Sequence, residues 1–304
     1  MDLYLPVAGI SINLFLLIGI GGVIGLLSGL VGVGGGFLLT PILMMVGVSP
    51  TVAAASGSCS LIGTSSSGTS VHFRLGNVDL KLGIVLLLGG LSGAAIGVRL
   101  VKFLRAMGSA DFVITACYIL ILGSVGTFMF LESLQSLRRG MLESKPPKPI
   151  QRGSLLRRLP FQMNFPRSHV THSVFVPFAL CVLVGILAAI MGVGGGFIMV
   201  PMMVYLLRMP MHVAVGTDLF QILFTSAGVT LMQAATNQTV DIALALTVSV
   251  GSTIGAQLGA RMARMLRGEQ LRIVLASIVL ATTGKMALGV LAKPGILLSI
   301  AGGK

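Results

Sequence analysis

The same glycine-rich phrase occurs twice in this chain, 160 positions apart, each time inside a long apolar stretch: Val31-Gly32-Val33-Gly34-Gly35-Gly36-Phe37 and Met191-Gly192-Val193-Gly194-Gly195-Gly196-Phe197. The register extends past the phrase, matching Gly25 with Gly185, Pro41 with Pro201, Pro50 with Pro210 and Ala54 with Ala214. A small shift then brings Asp79, Gly89, Gly93, Gly97 and Arg99 onto Asp241, Gly251, Gly255, Gly259 and Arg261. A sequence that repeats itself in this way predicts two equivalent halves with a site built between them.

The solvent of this fold follows from composition. With 55% hydrophobic and 10% charged residues, a water-soluble chain of 304 residues could not cover its surface with polar groups. Apolar tracts run over 12–46, 52–73, 82–104, 112–131, 174–207, 213–235, 242–262 and 271–291. Each is long enough to cross about 30 Å of hydrocarbon as a helix. They lack the period-two alternation of a membrane barrel, and their abundant Gly, Ala and Ser suit close helix packing. The expected fold is an all-α polytopic membrane protein of two homologous halves. Its predicted divisions are a first transmembrane repeat over 1–131, a basic Pro-rich cytoplasmic linker over 132–172, and a second repeat over 173–304.

The segment from Met1 to Ser11 contains Asp2 and no Lys or Arg, unlike a secretory signal, and reads as the start of the first membrane segment. Cys59, Cys117 and Cys181 lie within apolar tracts, and His72, His169, His172 and His212 are scattered, so neither metal nor cofactor is expected. The net charge of +13 resides mostly in the linker, which carries Arg138, Arg139, Lys145, Lys148, Arg152, Arg157, Arg158 and Arg167 among five prolines. Only Phe161 and Phe165 accompany them as aromatics, too few for a nucleic-acid stacking platform. The charge is read as a cytoplasmic signal, with the lipid bilayer as the partner.

Tract 12–46, as one unbroken helix, would be about 50 Å long, which favours a bend at its glycines. If the first tract of each half bends back, Arg74, Lys81, the linker, Arg208, Arg261, Arg264, Arg267 and Arg272 share one face, leaving Arg99, Lys102, Arg105, Lys293 and Lys304 opposite. That distribution obeys the positive-inside rule far better than single crossings do. Each half then crosses an odd number of times, which predicts an inverted repeat. A parallel arrangement of four-span halves is the alternative.

Three consecutive glycines forfeit helix propensity at about 1 kcal/mol apiece. Two readings explain them: close helix crossing, or a helix break whose unpaired N–H donors and positive dipole end cradle an anion. Two matched copies, each followed by a proline in register, favour the anion cradle. The duplicated glycine phrase with its following proline, the small polar stretch, the Gly-xxx-Gly-xxx-Gly helix ending in Arg and the basic linker resemble the TauE/SafE family of sulfite-exporter-like membrane proteins. The resemblance implies a multi-pass inner-membrane permease, and not an enzyme, moving small sulfur-containing anions such as sulfite or sulfoacetate by alternating access.

On that basis Gly34, Gly35, Gly36, Gly194, Gly195 and Gly196 are candidate substrate contacts. The second tract of each half adds hydroxyls and amides: Ser56, Thr64 and Ser65 in one, Thr217, Gln221 and Thr225 in the other, from wider sets that also hold Ser58, Ser60, Thr69, Ser226, Thr230 and Gln233. Each hydroxyl has the alternative of bonding back to its own helix. Asp218 lies inside an apolar tract, as a proton carrier for coupled import or as a helix cap near the interface. Arg99 and Arg261 stand as pore-mouth residues or interface anchors, and Lys285 as a countercharge or a snorkelling side chain. No Walker A phrase is present, and no nucleophile with a positioned base supports an intramembrane enzyme. A homodimer is compatible with all of this.

Overall fold

The computed structural model describes residues 2–31, 36–139, 162–165, 170–207, 209–262 and 268–292. The chain opens with a hairpin, β1 (Asp2–Leu5) pairing antiparallel with β2 (Ile10–Asn13). Here the structure departs from the sequence expectation that this segment begins the first span. Pro6 and Gly9, the latter at φ 67°, close a turn in which the Gly9 N–H donates to the Leu5 carbonyl. Five helices follow: α1 (Leu14–Val31), α2 (Gly36–Met45), α3 (Pro50–Arg74), α4 (Leu80–Ala106) and α5 (Ala110–Arg139). The second half repeats the order, with a hairpin of β3 (Gln162–Phe165) and β4 (Val170–Ser173), then α6 (Phe175–Met191), α7 (Gly196–Pro201), α8 (Met211–Asn237), α9 (Ile242–Met262) and α10 (Gly268–Ala292). A π turn over Met202–Leu206 prolongs α7 beyond Pro201, which has no N–H to continue the regular ladder.

The first tract of the second half is therefore interrupted at its glycines, into α6 and α7, while in the first half α1 ends at Val31 and α2 begins at Gly36, with 32–35 outside the described residues. Two results differ from the tract boundaries: α5 runs on to Arg139, and a hairpin forms at the end of the Pro-rich linker. Helices α4, α8 and α9, and α5 over Ala110–Phe128, are each long and apolar enough to cross a membrane. Helix α3 is too rich in Ser and Gly to reach that hydropathy, and α1, α2 and α6 are shorter apolar helices.

Packing exchanges elements between the halves. The most extensive pairs are α1 with α9 and α4 with α6, followed by α3 with α8, α5 with α10, α4 with α8 and α3 with α9. Helices α1 and α9 cross closely at their glycines: a Cβ on Gly25 would sit 2.1 Å from the Ser252 carbonyl oxygen, and one on Gly255 2.0 Å from that of Gly22. Gly93 and Gly185 make the α4–α6 crossing equally close. Where the solvent is lipid, such backbone approach gains van der Waals contact that larger residues would forbid. The opposite faces are apolar and exposed. Along α9, Ile242, Leu246, Val250, Ile254 and Leu258 recur every fourth residue on the outside, a stripe that suits hydrocarbon. The protein is an all-α, multi-pass membrane protein.

The contacts also give directions. Gly21, Gly25 and Gly29 lie against Val248, Ser252 and Ala256 in turn, so α1 and α9 run the same way, and Gly89, Gly93 and Gly97 against Phe178, Val182 and Ile186 do the same for α4 and α6. Gly216 near the start of α8 packs on His72 in the last turn of α3 and on Asn77 just beyond it, and Gly68 meets Leu219. Helices α3 and α8 thus run in opposite directions.

Two aspartates at equivalent positions fasten the halves together. Asp79 caps α4 by accepting from the Leu82 N–H at 3.3 Å, and Asp241 caps α9 through Leu244 at 3.1 Å. Each aspartate also donates its own backbone N–H across the repeat, Asp79 to the Thr217 hydroxyl at 3.1 Å and Asp241 to the Ser56 hydroxyl at 2.9 Å. The second oxygen of Asp241 accepts from Val7 and Ala8, tying down the first hairpin.

Candidate functional site

The start of α2 meets the second interruption in the interior. Gly36, the first residue of α2, is buried so tightly that a Cβ would lie 2.7 Å from Leu61 and 3.0 Å from the Val193 carbonyl oxygen of the other break. One residue on, the equivalent rings of Phe37 and Phe197 stack at 5.8 Å between centroids, inclined by 29°. Leu61 touches both breaks, since it and Ile222 also line the space beside Gly194. Gly34 and Gly35 lie outside the described residues.

The second break shows why glycine stands there. Gly192, Gly194 and Gly195 have φ of 71°, 74° and 84°, the left-handed region that other residues enter only with strain. The end of α6 leaves carbonyls without helical partners, and specific groups take them up. Ala188 receives the Gly192 N–H at 2.7 Å, Ala189 receives the Gln233 side-chain amide at 3.1 Å, and Met191 receives the hydroxyl of fully buried Tyr118 from α5. Gln233 in turn accepts from Asn237 at 2.5 Å, which also donates to the Val98 carbonyl on α4.

The donor side of the break is not taken up in this way. Among the described residues, no acceptor meets the backbone N–H groups of Gly194, Gly195, Gly196 or Phe197, although all four residues are buried. Consecutive unpaired amides in left-handed and turn conformations form an anion-binding concavity. A buried N–H without a partner is rare enough to need a reason.

The side chains of α3 and α8 supply more unpaired polar atoms. Ser65 lies one turn beyond Leu61, and Asp218 one turn before Ile222, which puts them at the same level because the helices run in opposite directions. Among the described residues, buried Ser65 Oγ, Thr69 Oγ1, Asp218 Oδ1, Gln221 Oε1 and Ser226 Oγ have no hydrogen-bond partner. Asp218 is 1% exposed.

Other residues expected at the site are occupied. Thr64 bonds back to the Leu61 carbonyl at 3.1 Å, and Ser58 and Ser60 behave likewise. Ser56 and Thr217 hold the aspartate loops described above. Thr225 accepts from Gln221 at 2.9 Å, and both press on Gly90 of α4, where a Cβ would lie 2.7 Å from the Gln221 amide nitrogen. Arg99 and Arg261 are exposed near the last turns of α4 and α9, and Lys285 is exposed on α10. All three cysteines are free thiols, and no His, Cys, Asp or Glu cluster among the described residues has the makings of a metal site.

Comparison with known proteins is consistent along nearly the whole chain. A family model described as "Sulfite exporter TauE/SafE" matches residues 17–286. The probable membrane transporter protein YunE of Bacillus subtilis is 27% identical over 277 residues, covering 88% of this chain and 95% of that protein. A probable membrane transporter protein of Xylella fastidiosa is 28% identical, covering 83% of this chain and 85% of its own length. One from Methanocaldococcus jannaschii is 24% identical, covering 87% and 91%. No solved structure matches the chain.

Proposed function

The chain belongs to the TauE/SafE sulfite exporter family, and from that premise we propose that it is an inner-membrane permease exporting small sulfur-containing anions, such as sulfite, sulfoacetate or related sulfonates. The observation that carries this reading is the second break against the start of α2, with the buried amides of Gly194, Gly195, Gly196 and Phe197, unpaired among the described residues, beside the stacked Phe37 and Phe197. Sulfonyl oxygens are hydrogen-bond acceptors, and an amide nest with nearby hydroxyls binds them without placing a full cation in hydrocarbon. Ser65 and Gln221 extend that set of contacts; Gly36, at the start of α2, offers the first half's equivalent.

Alternating access follows from an inverted repeat, in which two equivalent bundles rock about a site at the midplane. The opposite directions of the equivalent helices α3 and α8 support that arrangement over a parallel one. So does the continuation of α4 alongside α8, from Asp79 with Thr217 to Val98 with Asn237. The divisions at 131 and 173 then separate two repeats, joined by a linker on the cytoplasmic face. With the inside negative, a departing dianion gains about 4.6 kcal/mol per 100 mV, enough to drive export without ATP.

Asp218 favours a second reading, proton-coupled import, because it is buried with one oxygen unpartnered. Flux of labelled sulfite, sulfoacetate, taurine and sulfate in proteoliposomes, under imposed voltage and pH gradients, tests both. Export predicts sulfite or sulfoacetate efflux that accelerates with inside-negative voltage and keeps its pH profile in Asp218→Asn. Flux driven by the pH gradient and abolished in Asp218→Asn selects coupled import; a wild-type protein that moves none of the anions ends the permease reading.

A further inference from the structure

Away from the breaks, a cavity of about 430 Å³ opens on the face where α4 and α8 end and α3, α5 and α9 begin, within the range of about 300–1,000 Å³ usual for small-molecule sites. Both halves contribute to it: Val7 of the first hairpin, Thr51, Arg105 and Asp111 from one, Gln238 and Thr239 from the other. We propose that this vestibule is a second, outer binding site for a small oxyanion, with Arg105 as its charge and Thr239 and Gln238 as its hydrogen-bond donors.

Arg105 donates one guanidinium N–H to the Asn237 carbonyl and has no ion-pair partner among the described residues, which leaves further donors of its planar fork for an oxyanion. Asp111 shares the cavity, but its carboxylate accepts from the Thr51 N–H at 3.1 Å, offsetting the positive end of α3 rather than Arg105. Thr239 is 2% exposed, and its hydroxyl has no partner among the described residues. An unsatisfied hydroxyl in the wall of a cavity that also holds a free guanidinium marks a place for an acceptor.

The backbone supplies an independent sign. Gln238 is the sole non-glycine residue at positive φ among those described, at 53°. Its equivalent in the first half, three residues before Asp79 as Gln238 is three before Asp241, is Gly76 at φ 73°. One repeat meets the left-handed requirement with glycine; the other retains a side chain there despite the strain, and that side chain lines the cavity. A hydrogen-bonded chain continues inward, from Arg105 through Asn237 and Gln233 to the Ala189 carbonyl at the second break. The vestibule thus sits at the outer end of a polar route to the proposed substrate site, on the face opposite the end of α5 and the start of α6.

That the anion is a sulfur oxyanion rests on the permease reading; that the vestibule binds an oxyanion does not. The test uses the full-length chain with sulfite as the probe, by equilibrium dialysis in detergent and by flux in proteoliposomes. Arg105→Gln is expected to weaken a class of sulfite sites about tenfold or more and to raise the KM for flux more than it lowers the maximal rate. Thr239→Val should weaken the same class, and Gln238→Gly should do so without lowering the thermal midpoint, because glycine suits the left-handed backbone. If wild-type protein binds no sulfite, or all three variants bind and transport like it, the inference is overturned. Wild-type transport that is sensitive to Gly194→Ala but not to these variants keeps the permease reading alone. Arg105-dependent binding without any transport keeps the vestibule alone.

Discussion

Replacing Gly194 by alanine separates the backbone role of the break from its packing role. At φ 74° an alanine incurs about 1–2 kcal/mol of left-handed strain. Its Cβ would meet Ile222 Cγ2 and Leu61 Cδ1 at 3.0 Å, both near the ends of flexible side chains that yield by a few tenths of an ångström. The fold should therefore survive, with the thermal midpoint lowered by roughly 2–8 °C. Relief of the strain is available by rotating the neighbouring peptides, which turns the unpaired N–H donors of 194–196 away from one another. Each factor of ten in flux corresponds to about 1.4 kcal/mol, so loss of a single charge-assisted amide contact is enough for a tenfold fall. The assay is labelled sulfite flux in proteoliposomes, normalised to inserted protein. Gly194→Asn, whose side chain tolerates the left-handed region better, should recover part of the flux. Wild-type flux in Gly194→Ala together with a lowered midpoint would refute the reasoning, because the backbone would then be strained with no effect on the anion.

Gly255→Val tests the crossing of α1 and α9: a Cβ would start 2.0 Å from the Gly22 carbonyl oxygen, so the helices must part by more than 1 Å, and size-exclusion profiles should show loss of the monodisperse species. Tyr118→Phe removes the donor to the Met191 carbonyl and leaves that buried group unsatisfied, which should lower stability by about 1–3 kcal/mol in chemical denaturation; an unchanged midpoint would mean that another group takes its place.

Much of this architecture is visible in the sequence because membrane folding writes its rules in one-letter terms. Lipid requires long apolar runs, close helix contact requires glycine, and left-handed backbone requires glycine again. These last two demands cannot be told apart in the sequence, yet they fall on different residues. The Gly25–Gly29 and Gly251–Gly259 ladders serve crossing, as their carbonyl contacts show, whereas Gly192, Gly194 and Gly195 serve φ. What stayed hidden is what depends on partners far along the chain. Tyr118 carried no signal of its own, since a lone tyrosine in an apolar helix reads as core until the Met191 carbonyl is found opposite. Gln233 was one polar residue among several, and only the end of α6 gives it a task. Ser56 and Thr217 read as ligands of a cavity, because a hydroxyl in a membrane helix advertises a donor without saying to whom; the structure shows each accepting from the backbone of an aspartate loop in the other half.

That substitution has a consequence for mechanism. The polar contacts between the halves divide into those that are closed, the Asp79 and Asp241 loops and the Gln233–Asn237 chain, and those that are open, at the amides of 194–197 and at Ser65, Asp218 and Gln221. Closed pairs at α4–α8 and α3–α9 tie helices that run in the same direction and fix register without fixing the tilt of one bundle on the other. Open groups lie along α3–α8 and beside the stacked Phe37 and Phe197, where the two repeats meet face to face. Motion of one bundle against the other would therefore pivot on the closed pairs and change the surroundings of the open ones; an anion binding there would supply acceptors to the amides of 194–197 and to Ser65 Oγ, whereas Asp218 Oδ1 and Gln221 Oε1 are acceptors that call for a donor.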